Sequence, residues 1–362
     1  MAFPVGWTKK CSLTIDNTKV SGTANLSNFP VLLTEANFPS TIFDNTQTTG
    51  ADLRFTSDES GTTELAFEIV NWDTTNDKAE VWVKIPTVDY DDDTTFYVWY
   101  GNATATAYAH TDTYGTHAVW SDYEGVWHLT DNTDSSPNGY DLTATASAPT
   151  STSGLFGSTA TSGAYDFETD TPNYFTHSTP TNCIISGSQS FQVWFKPEST
   201  QIHRLLNISE ASPPNTSIGW TLNNDGGLRP VWQVDGTNGG NTALDPVNIG
   251  DTHSYLGTFN STAGSMAMYK DGSSVWTKSS GASHSAGANS TLGIGKYPYQ
   301  TWYCDGIIDE VRIREGVLTA GWAATEYANQ SAPSTFVTEG EETDVGGGGI
   351  GGLISEGFIP TF

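Results

Sequence analysis

Two adjacent carboxylates raise the question of chemistry in this 362-residue chain. They are Asp309 and Glu310, in the stretch CDGIIDEVRI at residues 304–313. Paired carboxylates can transfer protons as acid and base, or bind a metal ion through their oxygens. The alternation of the stretch predicts a strand, in which neighbouring side chains point to opposite faces. We therefore expect Asp309 and Glu310 to point apart, which prevents them from acting together on one bond.

The two faces of this predicted strand differ in their surroundings. One face would be buried and hold Ile307, Asp309, Val311 and Ile313, and the other would hold Ile308, Glu310 and Arg312. A buried carboxylate is costly unless it accepts several hydrogen bonds or binds a cation. Asp309 is thus expected either to fill a structural hydrogen-bonding role or to bind calcium. Glu310 and Arg312 are expected to be charge partners.

Aromatic side chains form a second group with potential for recognition. In SFQVWFKP, the alternation directs Phe191, Val193 and Phe195 towards a core. The aromatic candidates on opposite faces of predicted strands, or in a predicted loop, are Trp194, Trp232, Tyr297, Tyr299 and Trp302. Flat aromatic rings can stack on the faces of sugars, so these residues predict a glycan platform. The alternative is that the tryptophans are buried between two sheets.

The elements that would position these residues are strands. Thr, Val, Trp and Tyr alternate with Gly, Asn and Asp turns, which favours pleated strands over helices. AEVWVKIP and TFYVWYG divide their residues between two faces, and KDGSSVW carries the Asp-Gly of a hairpin. The sequence predicts an all-β fold with two antiparallel β-sandwiches, at residues 1–103 and 117–337, joined by a linker at 104–116. One helix is predicted at 319–330, with Thr319 as its N-cap.

Charge and cysteine content narrow the classes of function. The chain has 14 basic and 41 acidic residues, for a formal net charge of −27. Nucleic-acid binding needs Lys and Arg to replace counterions, so we exclude it.

Cys11, Cys183 and Cys304 allow at most one disulfide, and we expect buried free thiols. No stretch has the length of a signal peptide or a membrane span, so we expect folding in the cytoplasm.

The C-terminal segment, residues 338–362, has a composition of its own. It starts acidic, continues through a glycine run that cannot pack, and ends in large apolar side chains. The apolar residues are Leu353, Ile354, Phe358, Ile359 and Phe362. The segment is expected either to be a disordered tail or to dock these residues on a neighbouring subunit or partner, as in a homo-oligomer.

Several motifs give the chain a resemblance to known families. GADLRFTSDESGTTELAFEIVNWD, AEVWVKIPTV and TTFYVWYGN resemble the β-sandwich family called domain of unknown function 2341. GVWHLTDNTDSSPNGYDLT, GAYDFETDTPNYF, SFQVWFKP and CDGIIDEVRI follow the order of a LamG-like jelly roll of the concanavalin A-like lectin/glucanase class. The resemblance covers about residues 5–337. It implies a fold and a tendency to bind, and it fixes no ligand.

The resemblance also implies a cofactor, calcium. LamG-like and pentraxin-like jelly rolls often hold calcium with oxygen ligands from a D-S-S-x-N-G-like loop and nearby acidic residues. The stretch TDSSPNG offers Asp134 and Asn138, with Asp131 close by and Asp309 as a further candidate. Oxygen ligands on a turn suit calcium, which takes six to eight of them. The alternative is that these side chains only form local Asx turns.

Signatures of enzymes are missing from the sequence. The glucanases of this fold class need an E-x-D-x-E strand, with alternate carboxylates on one face, and no such spacing is found. Zinc-protease, serine-hydrolase and P-loop motifs are also missing. The seven histidines lack ligand spacing, and we expect them at the surface or capped in the core. We therefore expect a protein that is not an enzyme.

The function predicted from these observations is structural and adhesive. Adhesive modules act outside cells, whereas this chain is expected to fold in the cytoplasm. A virion protein would fold in the cytoplasm and still act outside the cell, because virions leave the cell by lysis. We therefore expect a bacteriophage capsid decoration or tail-fibre protein with affinity for cell-surface glycans. The alternatives are a secreted or cell-surface prokaryotic glycan-binding protein and, third, a glycoside hydrolase.

Overall fold

The structure is a computed structural model that describes residues 3–145, 147–156, 162–177, 187–210, 217–224, 227–234, 237–239, 246–283 and 290–345. Its architecture is all-β with antiparallel sheets, as predicted. Cys183 and the five apolar residues of the predicted tail, at 353–362, lie outside the described residues. Cys11 and Cys304 are buried free thiols, as predicted.

Strands dominate the described part of the chain. The first eight are β1 Lys9–Ile15, β2 Leu26–Thr34, β3 Arg54–Thr56, β4 Glu64–Leu65, β5 Phe67–Asp73, β6 Lys78–Val88, β7 Thr94–Tyr100 and β8 Tyr123–Trp127. The next eight are β9 Thr143–Ala144, β10 Thr150–Ser153, β11 Ser162–Phe167, β12 Phe175–His177, β13 Gln189–Pro197, β14 His203–Glu210, β15 Ser217–Asn224 and β16 Leu228–Val234. The last seven are β17 Thr237–Gly239, β18 His253–Asn260, β19 Ser265–Lys270, β20 Ser273–Lys278, β21 Ser290–Ile294, β22 Gly306–Glu315 and β23 Val337–Asp344.

Helices are short and few within the described ranges. They are α1 Ile42–Asn45, α2 Thr116–Val119, α3 Ala320–Ser331 and α4 Pro333–Phe336, with single 3-10 turns at Asn17–Lys19 and Glu35–Asn37. The predicted cap is confirmed, because the Thr319 side chain accepts a hydrogen bond from the Trp322 amide at 3.1 Å. No helix in the described part of the chain is long and apolar enough to cross a membrane.

The N-terminal sandwich packs a five-stranded sheet against a three-stranded one. Their orders are β23-β1-β7-β3-β4 and β2-β6-β5. The predicted alternation of β6 is confirmed, because Val81, Val83 and Ile85 all lie in the core between the sheets. Trp82, on the other face, is also buried, in a second cluster with Trp120. The outer face of the small sheet is therefore covered too.

The C-terminal elements return to the N-terminal sandwich. Residues 338–344, which the sequence analysis assigned to the tail, are part of β23 and pair antiparallel with β1 along its length. The Lys9 ammonium contacts Glu342 at 2.6 Å and Asp344 at 3.1 Å, so the acidic run has basic partners on the neighbouring strand. Trp322 of α3 and Phe336 of α4 lie in the N-terminal core, although residues up to 337 were assigned to the second sandwich.

The second sandwich is inserted between β7 and α3. One sheet has the order β10-β11-β22-β13-β18-β19-β20, with β8 also on β22, and the facing sheet has the order β17-β16-β15-β14-β21-β12-β9. Phe191, Val193 and Phe195 of β13 lie in the core between them, as predicted. The predicted hairpin also forms, with Asp271 and Gly272 in the turn at φ +50° and +72°.

A β-bulge changes the faces of β22. Gln192 pairs with Arg312 and Trp194 pairs with Asp309, so two residues of β22 face one residue of β13. Glu310 adopts φ +46° at this point. As a result, the core holds Ile308 together with Val311 and Ile313. The predicted grouping of Asp309 with those residues, and of Ile308 with Glu310, was wrong, because strict alternation stops at a bulge.

Candidate functional site

Three of the five predicted aromatic residues are buried, and two of these, Trp194 and Trp232, lie away from the exposed pair and cannot form a platform with it. Trp232 is fully buried between the sheets, with its ring centroid 5.3 Å from that of Trp220. Trp194 lies on the outer face of β13, but it stacks on Tyr327 of α3, and its Nε1 donates to Gln330. The outward position of Trp194 was predicted correctly, and so was helix α3, but the packing of that helix over Trp194 was not predicted. The alternative of burial between two sheets therefore holds for Trp232, whereas Trp194 is buried under a helix.

The other three aromatic residues lie in the loop between β21 and β22. We call residues 295–305 the aromatic loop. Trp302 is 49% exposed and Tyr299 is 41% exposed, whereas Tyr297 is buried beneath them. The Tyr297 amide donates to the Trp302 carbonyl at 3.0 Å, and the Tyr299 hydroxyl lies 2.7 Å from the Thr291 hydroxyl. The loop therefore holds a large aromatic surface in a defined position.

A half-buried arginine supports the exposed tryptophan. The guanidinium carbon of Arg204 lies 4.6 Å from the Trp302 ring centroid and 5.4 Å from that of Tyr297. Its Nη1 donates to the Thr221 hydroxyl at 2.7 Å, which fixes the guanidinium plane. Burial lowers the pKa of Arg204 to about 10. A cation under the rings holds them by cation–π attraction and leaves the outer face of Trp302 for a ligand.

Three carboxylates meet at the same end of the jelly roll. Asp166 and Glu168, two residues apart on and after β11, lie with Glu198 so that one oxygen of each is within 4.8 Å of the others. We call these three residues the acidic trio. Asp305, at the end of the aromatic loop, accepts a backbone hydrogen bond from Glu198 at 3.1 Å. The trio and the loop are thus neighbours.

The surroundings of the acidic trio disfavour the charged form of its three carboxyl groups. Burial, mainly, raises the pKa of Asp166, Glu168 and Glu198, and neighbouring carboxylates raise it further. Lys196 opposes this effect on Asp166 and Glu198. Carboxylates of this kind are strong acceptors for hydroxyl groups, and they attract a proton or a cation.

Sequence reasoning missed this trio. The search for an E-x-D-x-E strand found none, but the stretch YDFETD contains the shorter alternation Asp166-Phe167-Glu168. Because Phe167 enters the core, its two neighbours share the outer face. The search for the longer motif therefore overlooked a pair of carboxylates that share one face. Glu198 comes from another strand end, and only the fold brings it to them.

The residues predicted to bind calcium have other contacts. Asp134 is buried and accepts hydrogen bonds from the amides of Val126, Ser136 and Tyr140 at 2.8–2.9 Å. Asp131 accepts from the Thr133 amide at 2.8 Å. The contacts from Thr133 and Ser136 are Asx-type turns, the alternative left open for these residues. The amides of Val126 and Tyr140 reach Asp134 from six to eight residues away.

The other two predicted calcium ligands also have protein partners. The Asn138 side chain donates to the Glu124 carbonyl at 3.1 Å, and Asp309 accepts from the Leu155 amide at 2.7 Å. Neither joins the groups of three or more metal-ligating side chains found among the described residues. Calcium binding by these four residues stays a prediction.

Comparisons with known proteins agree with this architecture. A family described as Domain of unknown function (DUF2341) matches residues 49–132, and the Concanavalin A-like lectin/glucanases superfamily matches residues 169–324. The two matches occur in the order that the sequence motifs predicted. A comparison with curated proteins finds no match.

Solved structures are similar at low sequence identity. Domain 4 of an extracellular arabinanase from Geobacillus stearothermophilus, solved with arabinotriose, is 18% identical with a TM-score of 0.44, covering 57% of this chain and 98% of that one. A heptameric SAP-like pentraxin from Limulus polyphemus is 17% identical with a TM-score of 0.33, covering 38% of this chain and 69% of that one.

Proposed function

Because the chain carries a DUF2341 segment followed by a concanavalin A-like domain, we propose that it binds carbohydrate at the aromatic loop. The observation that carries this proposal is the half-exposed Trp302, packed on Arg204 in a loop whose Asp305 accepts a backbone hydrogen bond from Glu198 of the acidic trio. A sugar ring stacks on the exposed face of the indole. Its hydroxyl groups donate to the neighbouring carboxylates.

The test is glycan binding by a Trp302→Ala variant. The wild-type chain is screened on a glycan array, and the best ligand is measured by calorimetry with both proteins. We expect the substitution to weaken binding about tenfold or more, because a central aromatic contact is typically worth 2 kcal/mol or more. Val317→Ala is the control, since Val317 is also exposed but lies before α3. Equal affinity of wild type and Trp302→Ala would contradict the proposal.

We propose further that binding occurs without hydrolysis. A glycoside hydrolase is the second candidate, and the acidic trio is the observation that favours it. Retaining glycosidases hold two carboxyl groups about 5–5.5 Å apart, a spacing that the trio resembles. Incubation with a polysaccharide panel separates the two functions. Sugar release that disappears in Glu198→Gln would establish the hydrolase and refute the binding-only proposal.

We propose more specifically that this carbohydrate-binding chain is an adhesive virion protein. Two buried free thiols support it, because unpaired cysteines are typical of chains that fold in a reducing cytoplasm. Mass spectrometry of purified phage particles from a host that carries the gene, followed by immunogold electron microscopy, is the test. We expect the protein on the capsid or tail. Its presence in the secreted fraction without particles would favour the alternative of a surface glycan-binding protein.

We propose that assembly depends on the apolar C-terminal residues. Leu353, Ile354, Phe358, Ile359 and Phe362 would each add roughly 1.5–3 kcal/mol when buried in a neighbour, before ordering costs. A chain truncated after Val345 keeps β23 and both sandwiches, and it should lose its oligomer or its attachment to a particle. Light scattering compares the two chains. An unchanged mass distribution would show that the tail is not an assembly element.

A further inference from the structure

A buried histidine lies where the two sandwiches meet. His128 directly follows β8 of the jelly roll, and its Nδ1 is 2.8 Å from Glu310 Oε2 of β22. Its Nε2 is 3.0 Å from Glu68 Oε2 of β5, in the N-terminal sandwich. All three residues are less than a tenth exposed. The sequence analysis expected the histidines at the surface or capped in the core, and nothing in the spacing of His128 signals its two carboxylate neighbours.

A third carboxylate completes a group of metal-ligating side chains. One ligand atom each of Glu80, His128 and Glu310 lies within 4.8 Å of the other two. Glu80 belongs to β6, so the group takes residues from both sandwiches. The His128 ring lies parallel to the Trp82 indole, with centroids 5.9 Å apart and an angle of 22° between the planes. This contact keeps the imidazole in a fixed orientation.

Each of the three side chains has an outer partner. Glu68 faces His128 Nε2 and is itself held by the Ser135 hydroxyl at 2.6 Å. Arg312 Nε donates to Glu310 Oε1, the oxygen that does not face His128. Trp82 Nε1 donates to Glu80 at 3.2 Å. Protein metal sites have this arrangement, in which a carboxylate orients the far nitrogen of a ligating histidine.

The carboxylates around His128 outnumber the arginines that contact them. The carboxylates within this interface are Glu68, Glu80, Asp309, Glu310 and Glu326, and Arg312 is the arginine that contacts two of them. Burying several carboxylates with few cations is expensive. A divalent ion offsets two of these charges. A cavity of about 130 Å³ adjoins the histidine on its Glu68 side and is not lined by Glu80 or Glu310.

We propose that Glu80, His128 and Glu310 bind a divalent transition-metal ion such as Zn²⁺. His128 Nδ1 and one oxygen from each glutamate are the ligands, and the Nε2 proton is donated to Glu68. One nitrogen and two carboxylates suit zinc or its first-row neighbours better than calcium, which takes oxygen ligands. The ion joins Glu80 of the N-terminal sandwich to two ligands of the jelly roll and so fixes the domains together. An imidazolium between Glu68 and Glu310 is the competing arrangement.

The experiment measures metal binding to the full chain. Protein stripped with a chelator is titrated with Zn²⁺ by calorimetry and, separately, with Co²⁺ while visible absorption is recorded. We expect one ion per chain, ligand-field bands for Co²⁺, and a melting temperature that rises with Zn²⁺ and falls again with chelator. Glu80→Gln should weaken Zn²⁺ binding at least tenfold and change the Co²⁺ spectrum.

The acidic trio supplies the matched control. Glu198→Gln removes a carboxylate from the other group of three and should leave the Co²⁺ spectrum unchanged. Circular dichroism confirms that each variant is folded. The proposal is overturned if no ion is retained and the melting temperature does not respond to Zn²⁺. It is equally overturned if Glu80→Gln binds both ions as the wild type does, because the ion then lies elsewhere.

Discussion

At the scale of single residues, the environment decides what each carboxylate can do. Asp134 is buried and accepts hydrogen bonds from three backbone amides, one in a local turn and two from more distant residues. Glu198 is exposed and lies beside the carboxylates of Asp166 and Glu168. Glu310 is fully buried, yet it has both an arginine and a histidine as partners. The same functional group thus serves a turn, a surface site and an interface between domains.

Glu124 provides a pH-dependent prediction. Burial, followed by the charges of Glu315 and Asp134, raises the pKa of Glu124 to about 7. The folded protein therefore holds this proton more tightly than the unfolded chain, and the stability it contributes is lost as pH rises through 7. We expect Glu124→Gln to unfold at higher urea concentration than wild type at pH 8, with little difference near pH 4.5. The exposed Asp44→Asn is the control, and a pH-independent difference for Glu124→Gln would contradict the assignment.

The calcium prediction can be decided by melting. If Asp131, Asp134, Asn138 or Asp309 binds calcium, the melting temperature rises with millimolar Ca²⁺ and returns with chelator. Asp131→Asn should then reduce the shift and leave the fold intact, because Asp131 is exposed. Identical melting curves with and without calcium would assign all four side chains to turns and local contacts.

At the scale of elements, the neighbouring elements decide whether residues on the outer face of a sheet are buried or exposed. Helix α3 covers Trp194, and the meeting of the two sandwiches covers Trp82 and Trp120. Side chains from α3 also bond directly to strand backbone. Asn329 accepts from the Leu32 amide at 2.7 Å and donates to the Leu32 carbonyl at 3.0 Å. The side-chain amide thus satisfies both backbone groups of one β2 residue.

Asn329→Ala should therefore be strongly destabilising. The substitution leaves two buried backbone groups of Leu32 without partners, at about 1–3 kcal/mol each. We expect the free energy of unfolding to fall by about 2–5 kcal/mol in urea unfolding at pH 7. Ser331→Ala, an exposed position at the end of the same helix, should change it by less than about 1 kcal/mol. Equal effects of the two substitutions would show that the contact to Leu32 is not important.

Much of the strand pattern could be predicted from the sequence, and several contacts could not. Alternation in β6 and β13 identified the core-facing residues, because one face of each strand packs in a sandwich core. The bulge at Glu310 depends on pairing with β13, which local alternation does not contain. The acidic trio and the group around His128 join residues distant in sequence. Of the predicted aromatic site, only the loop with Trp302 remains exposed, because burial of Trp194 is decided by a helix over a hundred residues away.

At the scale of the whole molecule, the N-terminal sandwich is completed by the end of the chain. Phe336 and Val337 are fully buried in a core otherwise built mostly from residues before 101. Leu256 and Tyr269 of the jelly roll also pack against that core. The two sandwiches are therefore joined by shared hydrophobic packing as well as by the chain.

Truncation tests this arrangement. A chain that ends after Ser331 lacks α4 and β23, exposes the core around Phe29, and loses the contact of Phe29 with Phe336. We expect it to lose at least about 3–5 kcal/mol, the usual cost of removing one buried phenylalanine, and to melt well below the full chain. The chain that ends after Val345 is the matched control and should melt as the full chain does. Similar melting of all three would contradict a structural role for β23.

The pairing of β1 with β23 has a consequence for synthesis on the ribosome. The Val345 amide donates to the Thr8 carbonyl at 2.7 Å, next to the pairing of β1 with β23. Strand β1 therefore lacks this partner until β23 has been synthesised. At 5–20 residues per second, the interval is roughly 15–70 s. During that time β1 is an open edge that can pair with another nascent chain. When β23 arrives it becomes the new edge, and its glutamates make that edge a poor template for aggregation.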